Sequence, residues 1–311
     1  MTSFLLNTGK RIPAGKFSSQ RITKLIGNNL TSLVGLGTWR SGPNLVAEAV
    51  EFALRNGCRH IDAALRYDNE PEVGRGIKAS GVPREEIFLT TKLWNTYHNR
   101  VEQGIHESLR NLGVDYLDLY LIHWPVSLPA DASNTVNDRV LPDWDFIKTW
   151  AEMQKLVERG LVRAIGVSNF TISHLERLLS APSTTIVPAV NQVELHPLNP
   201  QPSLHEYCTK RSIHLTAYSP LGSQDSPLHS LPQLQEISQN LGKTVAQVLL
   251  AWGIKKGWSV IPKSVSRLRI LENLGSDFSL SDEDFAILEG IKERQRLIDG
   301  QDFLPISVFD G

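Results

Sequence analysis

The sequence predicts an α/β fold, a (β/α)8 TIM barrel with long loops on its C-terminal face. Three observations predict it. Short, nearly continuous apolar runs alternate from end to end with longer stretches of helical period, the pattern of a parallel sheet buried on both faces. Eight such runs occur with no boundary-like linker between them, so residues 1–311 read as one domain. The early glycine cluster, Gly35-Leu36-Gly37, is followed by Thr38, Trp39, Arg40 and Ser41. It lacks the third glycine that opens a helix in an open dinucleotide-binding sheet, and reads as a tight turn after the first strand.

Strands are expected at 32–37, 59–62, 87–92, 117–123, 162–168, 189–194, 214–218 and 259–263. Between them lie amphipathic segments such as 45–56 (LVAEAVEFALRN), 101–112 (VEQGIHESLRNL), 145–159 and 244–255, whose apolar residues recur every three or four positions. Two stretches break the alternation. Residues 125–143 are polar and too long for an ordinary connection after the fourth strand, and the tail 294–311 carries Phe303, Pro305 and Phe309 without helical period. Loops at the C-terminal rim of such a barrel are where its sites are built.

Composition narrows the function classes. A formal net charge of −1 gives no electrostatic reason for a nucleic-acid or membrane-surface partner. Cys58 and Cys208 sit in no metal-ligand or redox spacing and read as free thiols of a reducing compartment. No secretory pattern opens the chain, and no window approaches the roughly 18 apolar residues of a membrane span. The expectation is a cytoplasmic monomer without a metal.

Ionisable and polar residues recur where strands end. Asp62 closes RHID, Lys92 closes IFLTTK, His123 closes LDLYLIH, and Ser168-Asn169 close VRAIGVSN. Gln192 lies in AVNQVEL, Tyr218 ends HLTAY, and Lys263-Ser264 end SVIPKS. Singly, each has a structural reading: a turn cap, a satisfied core histidine, a snorkelling lysine. In a parallel barrel all these ends point to one face, so together they make a site. With Tyr67 the set has no serine or cysteine nucleophile and no carboxylate pair suited to glycosidic work. A free phenol titrates near ~10. An ammonium beside it should lower that value, and an aspartate paired to the lysine should hold it charged. A histidine could orient a carbonyl oxygen beside the phenol. The arrangement suits protonation of a carbonyl, with a hydride coming from elsewhere.

At these residues the sequence resembles the aldo-keto reductase family. GCRHIDAALRYDNEPEVG is similar to the segment carrying its aspartate and tyrosine, TTKLWN to its lysine segment and LIHWP to its histidine segment; GVSNF, NQVELHP, AYSPLG and IPKS follow in the family's order. The resemblance implies an eight-stranded barrel that binds NADPH in extended form, with Tyr67 as general acid and Asp62, Lys92 and His123 around it. It places Thr38 and Trp39 among the cofactor-binding residues, Ser168, Asn169 and Gln192 at the carboxamide, and Tyr218 against the nicotinamide. Ser219, Leu221, Ser223 and Asp225 fit the loop over the pyrophosphate. Lys263, Ser264, Val265 and Arg269 fit the 2′-phosphate clamp, and Glu272 and Asn273 the adenine. Two cations and a hydroxyl suit a phosphate dianion, which favours NADP(H) over NAD(H). Trp39, Trp94 and Trp124, with 125–143 and the tail, are expected to line the substrate pocket.

The nearest likeness is to fungal glycerol dehydrogenases and aldehyde reductases, which implies small hydroxyaldehydes such as glyceraldehyde. Two other readings stay open: a lyase forming a Schiff base through Lys92, and a non-catalytic member of the same fold. The sequence departs from the family pattern at Ala63, Asp68 and Arg40, none of which removes a catalytic group. The larger departure is 14–32, roughly AGKFSSQRITKLIGNNLTS, between FLLNTGKRIP, which resembles the family's N-terminal opening hairpin, and VGLGTW. It reads by default as a flexible insertion. A retained intron is the alternative, since Gly15-Lys16 can be encoded across GGTAAG.

Overall fold

A computed structural model describes residues 4–5, 7–9, 11–12, 33–42, 44–223, 226–276 and 278–309. The insertion at 14–32 lies outside the described residues. Strands β1 (Phe4–Leu5) and β2 (Arg11–Ile12) pair antiparallel as the expected hairpin. Asn7 Nδ2, in its turn, donates to the carbonyl of Pro188 at 3.0 Å, just before a barrel strand begins. That contact sets the hairpin at the end of the barrel opposite the strand C-termini.

Eight parallel strands follow in sequence order: β3 (Leu36–Gly37), β4 (His60–Asp62), β5 (Phe88–Leu93), β6 (Leu119–Ile122), β7 (Ile165–Ser168), β8 (Val190–Glu194), β9 (His214–Tyr218) and β10 (Ser259–Val260). The sheet closes on itself. Val34 bridges Val260 and Gly37 bridges Lys263, both in parallel sense, with Gly35 N donating to Val260 O at 2.8 Å and Gly37 N to Pro262 O at 3.0 Å. The Gly35-Leu36-Gly37 cluster is therefore part of this seam and not the tight turn its composition predicts. A β-carbon on Gly35 would lie 2.8 Å from His60 Nδ1, and one on Gly37 would lie 2.7 Å from the Ile261 carbonyl. Close approach of two strands, not a bend in one, calls for glycine here.

The continuous apolar runs arise because each strand is buried on both faces. On β6, Leu119 and Leu121 pack inside the barrel with Phe88, Ala164, Ala189 and Val190, while Tyr120 and Ile122 pack outward against the helical layer. The amphipathic segments are helices at Leu45–Arg55, Val101–Leu112, Phe146–Glu158 and Val245–Lys255, among others. Asp145 caps 146–158 by accepting from the amides of Ile147 and Lys148, and Thr244 forms a capping box with Gln247. Strands β3 and β10 are shorter than predicted, because before Leu36 and after Val260 the pairing continues only as the single bridges Val34–Val260 and Gly37–Lys263. Among the described residues no helix is long and apolar enough to cross a membrane.

Candidate active site

Side chains alternate along a strand, so the inward-facing residues form layers. The middle layer includes His60, Thr90 and Thr216, with His60 hydrogen-bonded to Thr90 and Thr216 to Ser259. Burial pushes His60 down to about 4. Two residues further along each strand lies the next inward layer, at the C-terminal ends. Asp62 stands on β4, Lys92 on β5, Ser168 on β7, Gln192 on β8 and Tyr218 on β9, with His123 directly after β6.

This layer is tightly connected. Lys92 Nζ donates to Asp62 Oδ1 at 2.5 Å, to the Ala63 carbonyl at 2.9 Å and to Tyr67 Oη at 3.2 Å. Tyr67 comes from the 3-10 turn Leu65–Tyr67 that follows β4. The other oxygen of Asp62 accepts from Gln192 Nε2 at 2.7 Å, and its backbone carbonyl accepts from Thr38 Oγ1 at 2.9 Å. Burial works against the charge of Lys92, but Asp62 and Tyr67 outweigh it and hold the pKa above the ordinary lysine value. Burial raises Tyr67 as well, against the pull of Lys92. The sequence alone predicts the opposite sign for the phenol, because an ammonium can be read from a sequence while complete desolvation cannot. Burial, then the positive charges of Lys92 and Arg66, hold His123 well below its usual value, so its imidazole is neutral. Its ring meets Tyr67 edge-on at 5.7 Å and Trp94 at 5.2 Å.

The layer opens into one cleft of about 940 Å³. Next to Tyr67 its walls are Ser168, Asn169, Gln192 and Tyr218. Asn169, at φ 64°, donates to the His123 carbonyl at 3.0 Å and accepts from Tyr218 Oη at 2.8 Å. Thr38 and Trp39 also line the cleft. The cleft continues past Ser219, Leu221 and Ser223 to Lys263, Ser264, Arg269, Glu272 and Asn273. Val265 packs against the core and does not line the cleft, because the chain turns there into the helix Arg267–Leu274. Asp225 lies outside the described residues, and Lys92 sits behind Tyr67 without facing the cleft. Burial and then the like charge of Arg269 lower the Lys263 pKa, and among the described residues neither cation has a salt-bridge partner. A hydroxyl and two unneutralised cations at the end of a long cleft fit a phosphate dianion.

The other end is apolar. Trp94 and Trp124 pack with Val126 and Leu128 from the 125–143 loop and with Leu304 and Val308 from the tail. Trp94 Nε1 donates to Asn134 Oδ1 at 2.6 Å, and Phe303 meets the Trp124 ring edge-on at 5.4 Å. Sequence reasoning missed Arg66 and Ile298, which also line the cleft, and Glu194, which holds the tail. Arg66 immediately precedes Tyr67, and that adjacency was the available signal.

Comparison with known proteins agrees with this architecture. A model of the Aldo/keto reductase family matches residues 33–293, and the chain belongs to that family. It is 43% identical to the glycerol 2-dehydrogenase (NADP(+)) of Saccharomyces cerevisiae, over 96% of this chain and 100% of that one. It is 42% identical to the D-galacturonate reductase of Hypocrea jecorina, over 92% and 89%. The solved aldose reductase of Schistosoma japonicum superposes with a TM-score of 0.83 at 36% identity, covering 98% of both chains.

Proposed function

We propose that the protein is an NADPH-dependent reductase of aldehydes or ketones in which Tyr67 delivers the proton. The observation that carries this reading is the contact of Tyr67 Oη with the buried Lys92–Asp62 pair at the wall of the cleft. NADPH, when bound, supplies the hydride. Ser168, Asn169 and Gln192 would hold its carboxamide, Tyr218 would stack on the nicotinamide, and Ser219, Leu221 and Ser223 would cover the pyrophosphate. Lys263, Ser264 and Arg269 would take the 2′-phosphate, with Glu272 and Asn273 near the adenine.

The chain's own residues do the rest. The raised Tyr67 pKa keeps the phenol protonated at neutral pH, the state a general acid needs. Lys92 stays charged and donates to the phenolic oxygen, so it stabilises the phenolate as the proton leaves. Asp62 fixes the lysine, and the neutral His123 orients the carbonyl oxygen beside the phenol. Trp94, Trp124 and Phe303 exclude water from the reacting carbon.

A Schiff-base role for Lys92 fits poorly. Its Nζ serves three acceptors and is held protonated, whereas an amine nucleophile must lose its proton. The relatives' names span a polyol and a uronate, and small hydroxyaldehydes such as glyceraldehyde are the first substrates to test. The test is NADPH oxidation, followed at 340 nm (roughly the reduced-nicotinamide band), over glyceraldehyde, aldoses, aromatic aldehydes and ketones. Turnover with NADPH is expected. Inactivity toward every carbonyl, with NADPH bound, sinks the reading.

A further inference from the structure

We infer that Arg66 makes the substrate end of the cleft selective for carbonyl compounds that also carry a carboxylate. The inference rests on the reductase reading above and names the substrate class of the same site.

Arg66 sits directly before Tyr67 in the turn Leu65–Tyr67 and lines the cleft. Its guanidinium carbon lies 5.5 Å over the Trp94 ring, and that ring meets His123 at 5.2 Å. The arginine charge is close enough to His123 to help lower its pKa. A positive charge thus stands one residue away from Tyr67, partly exposed and over the Trp94 indole at the apolar end of the cleft. Arginine stacked on an aromatic face still presents its in-plane N–H fork to a carboxylate.

Nothing in the described cleft neutralises it from within. The carboxylates among the described lining residues are Asp62 and Glu272. Asp62 is taken by Lys92 and Gln192, and Glu272 lies one helical turn from Arg269 at the far arm. Arg66 does bond Asp68 at 3.2 Å, but that side chain is 80% exposed and the arginine 42% exposed. Such a surface pair is weak and exchangeable. It leaves a partly desolvated guanidinium whose better partner is an anion brought in by a ligand. The carboxylate is unchanged by the reaction. The aldehyde carbon gains the cofactor's hydride and the oxygen gains the Tyr67 proton, giving a hydroxy acid as the cofactor is oxidised by two electrons.

The test compares kcat/KM for matched pairs: succinic semialdehyde against butanal, and 4-carboxybenzaldehyde against 4-methylbenzaldehyde. The charged member is expected to lead by about tenfold or more, as for a charge-assisted hydrogen bond. Arg66→Gln should collapse that ratio, and Asp68→Asn, which frees the guanidinium, should raise it. Asn tolerates the positive φ of 55° at that position. A ratio near one in the unmodified protein, or a ratio untouched by both variants, overturns the inference. Binding is read separately through tryptophan fluorescence, using glutarate and its neutral diamide as unreactive probes. Glutarate binding that disappears in Arg66→Gln supports the inference even if no aldehyde is turned over, an outcome that defeats only the reductase reading. Equal binding of acid and diamide overturns the inference with the reductase reading intact.

Discussion

Tyr67 and Lys92 carry opposite demands that their surroundings reconcile. In the proposed mechanism the phenol must hold a proton until a carbonyl accepts it, and burial favours this by raising its pKa. The lysine must keep its charge in the same dry layer, and Asp62 at 2.5 Å ensures that. Tyr67→Phe removes the transferable proton but not the ring, so kcat for reduction should fall by about 10²–10⁴-fold with NADPH affinity little changed. Steady-state kinetics beside cofactor titration checks it. Lys92→Met leaves Asp62 as a buried carboxylate without its counter-charge, a defect of about 3–5 kcal/mol. Urea denaturation should register that destabilisation along with the fall in activity. The pH dependence follows from the signs of the shifts. A raised Tyr67 pKa means that reduction stays level through neutral pH and declines only above the usual tyrosine range of about 10. A lowered His123 pKa means no break where a free histidine titrates. Oxidation of an alcohol, which needs the phenolate, should rise with pH instead. A pH–kcat profile in both directions reads these signs; a reduction limb collapsing near neutrality counts against them.

Among the elements, the strand ends and the tail illustrate two kinds of legibility. Of the proposed catalytic positions, Asp62, Lys92 and His123 were readable because each closes an apolar run, and a parallel barrel sends all such ends to one rim. Tyr67 lies in the turn beyond its strand and was readable only through the family likeness. The tail was readable only as an irregular segment. Its anchor is Glu194, fully buried at the end of β8, which accepts from the amides of Leu297 at 2.8 Å and Ile298 at 2.7 Å and from His196 Nε2 at 2.9 Å. These bonds fix where Ile298 and Phe303 enter the cleft wall. Glu194→Gln keeps the shape but replaces one acceptor oxygen with a donor facing an amide, costing about 1–3 kcal/mol locally. Hydrogen exchange at 297–298 should accelerate, and KM for bulky aldehydes should shift more than kcat for small ones. Unchanged exchange there would mean the tail is held by its packing on Trp94 and Trp124 alone. No sequence signal could have paired residues about a hundred positions apart, because the partners on the tail side are backbone amides.

For the molecule as a whole, one continuous cleft joins the Tyr67 layer to Lys263 and Arg269, so the proposed 2′-phosphate site lies at the end remote from the proposed chemistry. Replacing Lys263 and Arg269 together with Met removes both unneutralised cations. The kcat/KM preference for NADPH over NADH should fall by about 10–100-fold for each cation removed, with kcat at saturating cofactor largely retained. Comparable efficiency of the unmodified protein with both cofactors would show that the arm does not read a phosphate. The sequence by itself determined the barrel, the order of its strands and the residue types at its rim, because double-sided burial and strand-end placement are written locally in every βα unit. It also carried the family likeness on which the cofactor rests. Tertiary structure alone decided the sign of the Tyr67 shift, the use of Gly35 and Gly37 at the closing seam, the Glu194 anchor and the exposure of Arg66 to the cleft. Each of these depends on how closely distant segments approach and how much water they exclude, and neither quantity is a property of any short stretch of chain.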